Sequence, residues 1–237
     1  MDKNTGRSYS LSKDEILVLL AIKGCTSIRG MFEDDVDKLC DNGVINSMLF
    51  HLKKNELIKL NNDSIAINDD LSEMLDNMIN ADEIAFISST DTSKPEQSLY
   101  IGNESSTYIR FGINENDRAI LTCMKTDEAV KEFMELGFIV SSGIREQDYN
   151  PMCLENVIEI PDVFGLDKNE ISRIDNICGA IIVIDAVTGI TARQLIIYND
   201  VLVDYIIVYE KEEVGVYKYS DKLLGEKIEE LLEGKKL

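Results

Sequence analysis

The sequence predicts an α+β protein made of two pseudo-symmetric halves, each a helix set against a largely antiparallel sheet, preceded by a helical, winged-helix-like N-terminal segment. Residues 69–136 and 165–232 match through a helix-like segment, four strand-like segments and a closing amphipathic helix. At a separation of 96, Leu75 falls on Ile171, Met78 on Ile174, Ala81 on Ile177, Phe86 on Ile182, Leu99 on Leu195, Ile101 on Ile197 and Asn103 on Asn199. The separation becomes 97 for Tyr108 with Tyr205, Ile109 with Ile206 and Phe111 with Val208, then 94 for Thr126 with Ser220, Val130 with Leu224 and Met134 with Ile228. Slips placed between elements are what loop insertions produce, so the pattern reads as two copies of one supersecondary unit. A second observation is that the strands within each copy are joined by turns too short for a helical crossover, which requires antiparallel pairing. A third is the order helix, helix, helix, hairpin over the opening residues, as in a winged helix. The domains that follow are 1–68, 69–137, a crossover at 138–164 carrying Pro151 and Pro161, and 165–237.

Taken in order, Ser12 opens a Ser-x-x-Glu box with Glu15, and Ile16, Leu17, Leu19 and Leu20 supply the buried face of a helix ending near Gly24. A second helical pattern through Phe32, Val36 and Leu39 ends at Gly43, and a third places Ile45, Met48, Leu49 and Leu52 on one face before Asn55. Residues 57–60 and 65–67 make a hairpin around Asn61, Asn62 and Asp63. Leu71, Met74, Leu75, Met78 and Ile79 give a helix over 69–81. Strands are expected at 84–88, 98–102, 107–112 and 118–124, and a helix at 126–136, with the polar loop SSTDTSKPE between the first two strands. In the second copy a helix is expected over 164–177. Strands are expected at 180–185, 195–198, 201–209 and 214–219, the middle two pairing around Asn199 and Asp200. The last helix buries Leu223, Leu224, Ile228 and Leu231. Ala180 to Asp185 is almost continuously apolar, the mark of a central strand. One face of each sheet is expected to be covered by helices.

The chain has 237 residues and a net charge of −20, with 9 basic and 14 acidic residues in 1–80, so −5 falls there and −15 on the remainder. Acidity on this scale repels nucleic acid and anionic membranes and favours solubility or a basic or apolar partner. In the winged-helix reading Ser47, His51, Lys53 and Lys54 take the recognition position, but Asp34, Asp35, Asp37, Asp41, Asp63, Asp69 and Asp70 crowd that helix. The five cysteines, Cys25, Cys40, Cys123, Cys153 and Cys178, are scattered and odd in number, which points to reduced, buried thiols. No apolar leader or membrane span stands out, and a cytoplasmic protein is expected. Abundant Asn, Ile, Lys and Asp go with an AT-rich bacterial genome.

His51 is the only histidine, so neither a histidine-rich metal site nor a histidine-based catalytic relay is available beyond a single pair. Phosphate-binding and nucleophile-elbow motifs are missing, and the paired carboxylates lack calcium-loop spacing. The expectation is a non-catalytic protein with no cofactor or metal. Tyrosines concentrate in the second copy, and an uncovered sheet face would turn them into a contact surface. The residues expected to meet a partner are Ser88, Asp91, Lys94 and Glu96, along the 88–96 loop, with Tyr198, Tyr205 and Tyr209.

The opening LSKDEILVLLAI, the acidic balance and the two related helix-plus-sheet halves together resemble the EspG family of type VII secretion chaperones. The resemblance spans nearly the whole chain and implies a cytoplasmic chaperone or adaptor that keeps a secreted helical pair soluble before export. It transfers no binding residue, since no local motif is shared. The competing expectation is a transcription regulator, with residues 10–68 as reader and the repeats as sensor or dimerisation module.

Overall fold

A computed structural model describes residues 7–25, 28–29, 42–61, 64–89, 97–103, 105–111, 118–135, 161–171, 173–200, 203–210 and 213–234. The elements run β1 (Ser8–Ser12), α1 (Lys13–Ile22), α2 (Asn42–Lys54), β2 (Ile58–Leu60), β3 (Ile65–Ile67), α3 (Asp69–Ile79), β4 (Glu83–Ser89), β5 (Gln97–Ile101), β6 (Ser106–Phe111), β7 (Arg118–Met124) and α4 (Thr126–Glu135). They continue with α5 (Lys168–Ile171), β8 (Ile177–Asp185), β9 (Thr191–Asp200), β10 (Val203–Glu210), β11 (Glu213–Lys218) and α6 (Asp221–Glu233). The predicted helix between Thr26 and Asn42 lies outside the described residues except at its margins. Gly43 does not close it but sits in the first turn of α2. Among the described residues no helix is long and apolar enough to cross a membrane.

The chain divides into two units, one of residues 1–84 and 97–125, the other of residues 85–96 and 126–237. In the first unit the strand order is β1-β7-β6-β5, all antiparallel, and β2 pairs with β3 as a separate hairpin. The sequence pattern missed β1. Its SYSLS has only two apolar side chains, and it forms because β7 offers a free edge, pairing Ser8 with Thr122 through Ser12 with Arg118. Arg118 secures it by donating from Nη2 to the Ser10 carbonyl at 2.6 Å.

Where β1 ends, the predicted capping box forms: the Glu15 amide donates to Ser12 Oγ at 3.1 Å and the Ser12 amide to Glu15 Oε2 at 2.8 Å. Ser12→Ala is expected to destabilise the protein by about 1 kcal/mol, measurable as a shift in the urea midpoint. α3 is capped by Asn68, whose Oδ1 accepts the Asp70 amide at 3.1 Å, and it buries Leu71, Met74, Leu75 and Met78. That stripe has helical spacing, and Thr107 Oγ1 fixes the helix to the sheet by donating to the Met74 carbonyl at 2.9 Å.

In the second unit β8-β9-β10-β11 are antiparallel neighbours, with β4 beside β8 in the strand order. One face of this sheet contributes Ala180, Ile182, Ile196, Tyr205, Ile207 and Tyr209 to a core closed by Val163 and Ile171. The opposite face carries Leu195, Ile197, Ile206 and Val208, all buried, and it is the face from which Arg193 reaches α6. Helical segments therefore cover both faces, not one. Two-sided burial is also why the Ala180–Ile184 stretch of β8 reads as an unbroken apolar run.

The predicted helix at 164–177 shrinks to the single turn of α5. Gly165 has φ +83°, which L side chains rarely adopt, and the turn starts only at Asp167, whose Oδ1 accepts the Glu170 amide while its own amide donates to Glu170 Oε2, both at 2.9 Å. β9 and β10 pair from Asn199 with Asp204 to Asp200 with Val203, so the strands run through the residues expected to turn.

Both halves show the succession helix, four strands, helix, but strand register corrects the residue matching. Leu99 pairs with Tyr108, whereas Leu195 pairs with Val208. Keeping Leu99 on Leu195 thus puts Tyr108 on Val208 and not on Tyr205. The faces agree with this. Thr107 points to α3, so Tyr108 faces away from it, while Tyr205 lies on the Val163 and Ile171 side. An odd slip in offset inverts a strand's faces, and the apolar pattern of a strand buried on both sides cannot reveal it.

The described cysteines, Cys25, Cys123 and Cys178, are reduced and half-buried. Burial, followed by the Asp204 carboxylate, pushes the Cys178 thiol above its ordinary pKa. Less thiolate at a given pH means slower alkylation. At about pH 8, iodoacetamide followed by peptide mass spectrometry should label Cys178 more slowly in the folded protein than in urea; equal rates would contradict this.

Candidate partner-binding surface

α4 and α6 frame a concavity in the second unit. α4 starts with Asp127 and Glu128 in its first turn, where carboxylates favour the helix dipole, and it buries Ala129 and Phe133. α6 is capped by Ser220, whose Oγ accepts the Leu223 amide at 3.2 Å, and it ends at Gly234 in the left-handed conformation with φ +64°. Its Leu224, Ile228, Leu231 and Leu232 are buried. Two further contacts hold it in place. Arg193 Nε donates to the Leu231 carbonyl at 2.8 Å, and Lys227 Nζ lies 2.7 Å from Glu230 Oε2 and 4.4 Å from the centre of the Tyr217 ring. The hydrogen bond to Glu230 is the main cause of a raised Lys227 pKa.

Between the two helices lies a cleft of about 440 Å³. The half-buried Val130, Met134 and Gly225 form its apolar base. Exposed Asp127, Lys131, Asp221, Lys222, Glu226 and Glu229 form its rim, with Lys131 3.5 Å from Asp127 and Lys222 3.5 Å from Glu226. Exposed pairs of this kind add little stability, so they organise the rim more than they hold the fold.

A second apolar feature is the β8–β9 turn. Asp185 Oδ1 accepts the amides of Val187 at 3.0 Å and Thr188 at 2.6 Å, and Gly189 supplies φ +74°. This ordered turn leaves Val187 81% and Ile190 68% exposed. On α2, Phe50 is 66% exposed.

Of the residues predicted for partner contact, the described ones do not line this cleft. Ser88 is half-buried in β4, and Asp91, Lys94 and Glu96 lie outside the described residues. Tyr205 and Tyr209 are core residues, so their rings are committed to packing and are not a surface; Tyr198 is half-buried against the same core. The Tyr209 hydroxyl donates to the Pro161 carbonyl at 2.6 Å, its ring stacks on Phe164, and burial, then Asp162 and Tyr198, raises its phenol pKa. Ser47, His51, Lys53 and Lys54 are exposed on α2. The cleft was missed because its apolar members belong to stripes that also supply the core. The signal available was Gly225, a helix-weakening residue inside an otherwise strong helical pattern.

In fold, the chain is similar to EspG5, the type VII secretion system chaperone of Mycobacterium tuberculosis. That structure holds EspG5 in complex with a PE25-PPE41 dimer, and the likeness has a TM-score of 0.57 at 9% sequence identity, covering 96% of each chain. No protein-family model matches the sequence, and no curated protein matches it. At this identity the likeness to EspG5 is one of fold, and it agrees with the family resemblance read from the sequence.

Proposed function

We propose that this chain is a cytoplasmic, non-catalytic binding protein that holds a secreted helical partner, such as a heterodimer, as a secretion chaperone or adaptor. The observation that carries this reading is the extent of the fold likeness. It takes in 96% of both chains, so the likeness extends over nearly the whole fold and is not confined to one motif. The −20 net charge and the apolar-based α4–α6 cleft support the same reading. The common succession of elements in the two halves further supports an origin by duplication. A DNA-reading role for α2 gains no comparable support, because Lys53 and Lys54 stand on a strongly acidic chain and charge governs affinity for phosphate backbones.

Affinity capture of the tagged full-length protein from its native host, followed by mass spectrometry, tests the proposal. The expected result is a stoichiometric complex with a small, helical, secreted protein or pair. Recovery of no protein in stoichiometric amount, or of promoter DNA alone, would overturn it.

A further inference from the structure

We infer that the α4–α6 cleft takes a single amphipathic helix of the partner, apolar side chains inward and basic side chains along the flank that meets α6. This rests on the binding-protein reading above and names the occupant of that site. Three observations specify it.

The first is spacing. Asp127, Val130, Lys131 and Met134 stand at i, i+3, i+4 and i+7 on α4, and Lys222, Gly225, Glu226 and Glu229 repeat that spacing on α6. Each helix therefore offers one continuous face of about two turns, roughly 10–12 Å long, the ridge-and-groove surface into which a third helix packs. An extended strand would need a sheet edge, and neither helix offers one.

The second is Gly225. Glycine weakens a helix interior, and a Cβ added here would meet nothing within 4 Å, so neighbouring packing does not require its small size. What the missing side chain does is deepen the cleft, allowing an approaching helix to come close.

The third is charge. Four carboxylates and two ammonium groups line the rim, and both lysines already pair within it, to Asp127 and Glu226. The excess carboxylate, all of it on α6, calls for a cationic flank there and disfavours an acidic helix or a phosphate-bearing ligand.

The probe is a fluorescent synthetic helix of about five turns with a leucine and alanine face flanked by lysines, alongside a sister peptide carrying glutamates instead. Anisotropy titrations on the full-length protein should show saturable binding of the lysine peptide and much weaker binding of the glutamate peptide. Val130→Glu and Met134→Glu should each weaken binding about tenfold or more without altering the circular dichroism spectrum. Gly225→Ala should move two readouts in opposite directions, raising the thermal midpoint while weakening the peptide. Failure of the lysine peptide to bind, equal binding of both peptides, or unchanged binding by the three variants would overturn the inference. A host partner captured equally well by the cleft variants would overturn it too while leaving the proposed function standing.

Discussion

Phe133→Ala is expected to destabilise the second unit by about 3–5 kcal/mol, the cost of deleting a buried aromatic and leaving a cavity. Phe133 is among the largest fully buried side chains described, at 1% exposure, and it anchors the inner face of the helix that carries Val130 and Met134 outward. Its loss should therefore reduce both stability and the cleft. Urea unfolding followed by circular dichroism measures the first effect, and peptide anisotropy at a temperature where the variant remains folded measures the second. A stability change below about 1 kcal/mol would show that α4 is not held by this side chain.

Arg193→Met is expected to cost about 1.5–3 kcal/mol, the range for losing a charged hydrogen-bond donor to a buried acceptor. Methionine keeps much of the aliphatic volume but leaves the Leu231 carbonyl without its 2.8 Å donor, near the end of α6 where unpaired carbonyls and the negative end of the helix dipole favour a cation. Arg193→Lys should recover only part of the loss, because an ammonium does not reproduce the guanidinium geometry. Hydrogen exchange offers a local check: amides in the last turn of α6 should exchange faster in the methionine variant, while those of α3 should not change.

Much of the fold was legible because local chemistry and tertiary structure agree. The Ser12 box, the Leu71 to Met78 stripe, the β2–β3 hairpin and the boundaries of β7 could be read from residue type and period alone. What could not be read depended on partners distant in sequence. β1 is a strand only because β7 pairs with it, and α5 is cut short by the left-handed Gly165 and the early start of β8. The tyrosines illustrate the same limit at the level of function. Tyr205 and Tyr209 suit a contact surface by composition, but Val163 and Ile171 cover that sheet face and bury them. A sequence period states which residues share a face, and tertiary packing decides which face meets solvent.

The central claim is that this chain binds a helical protein, with the α4–α6 cleft as the contact. Cross-linking mass spectrometry on the complex purified from the native host through the tagged full-length chain tests it most directly. The account predicts cross-links joining Lys131 and Lys222 to one helical segment of a secreted partner. A chain that purifies alone, or a partner cross-linked only to lysines of the first unit, would contradict it.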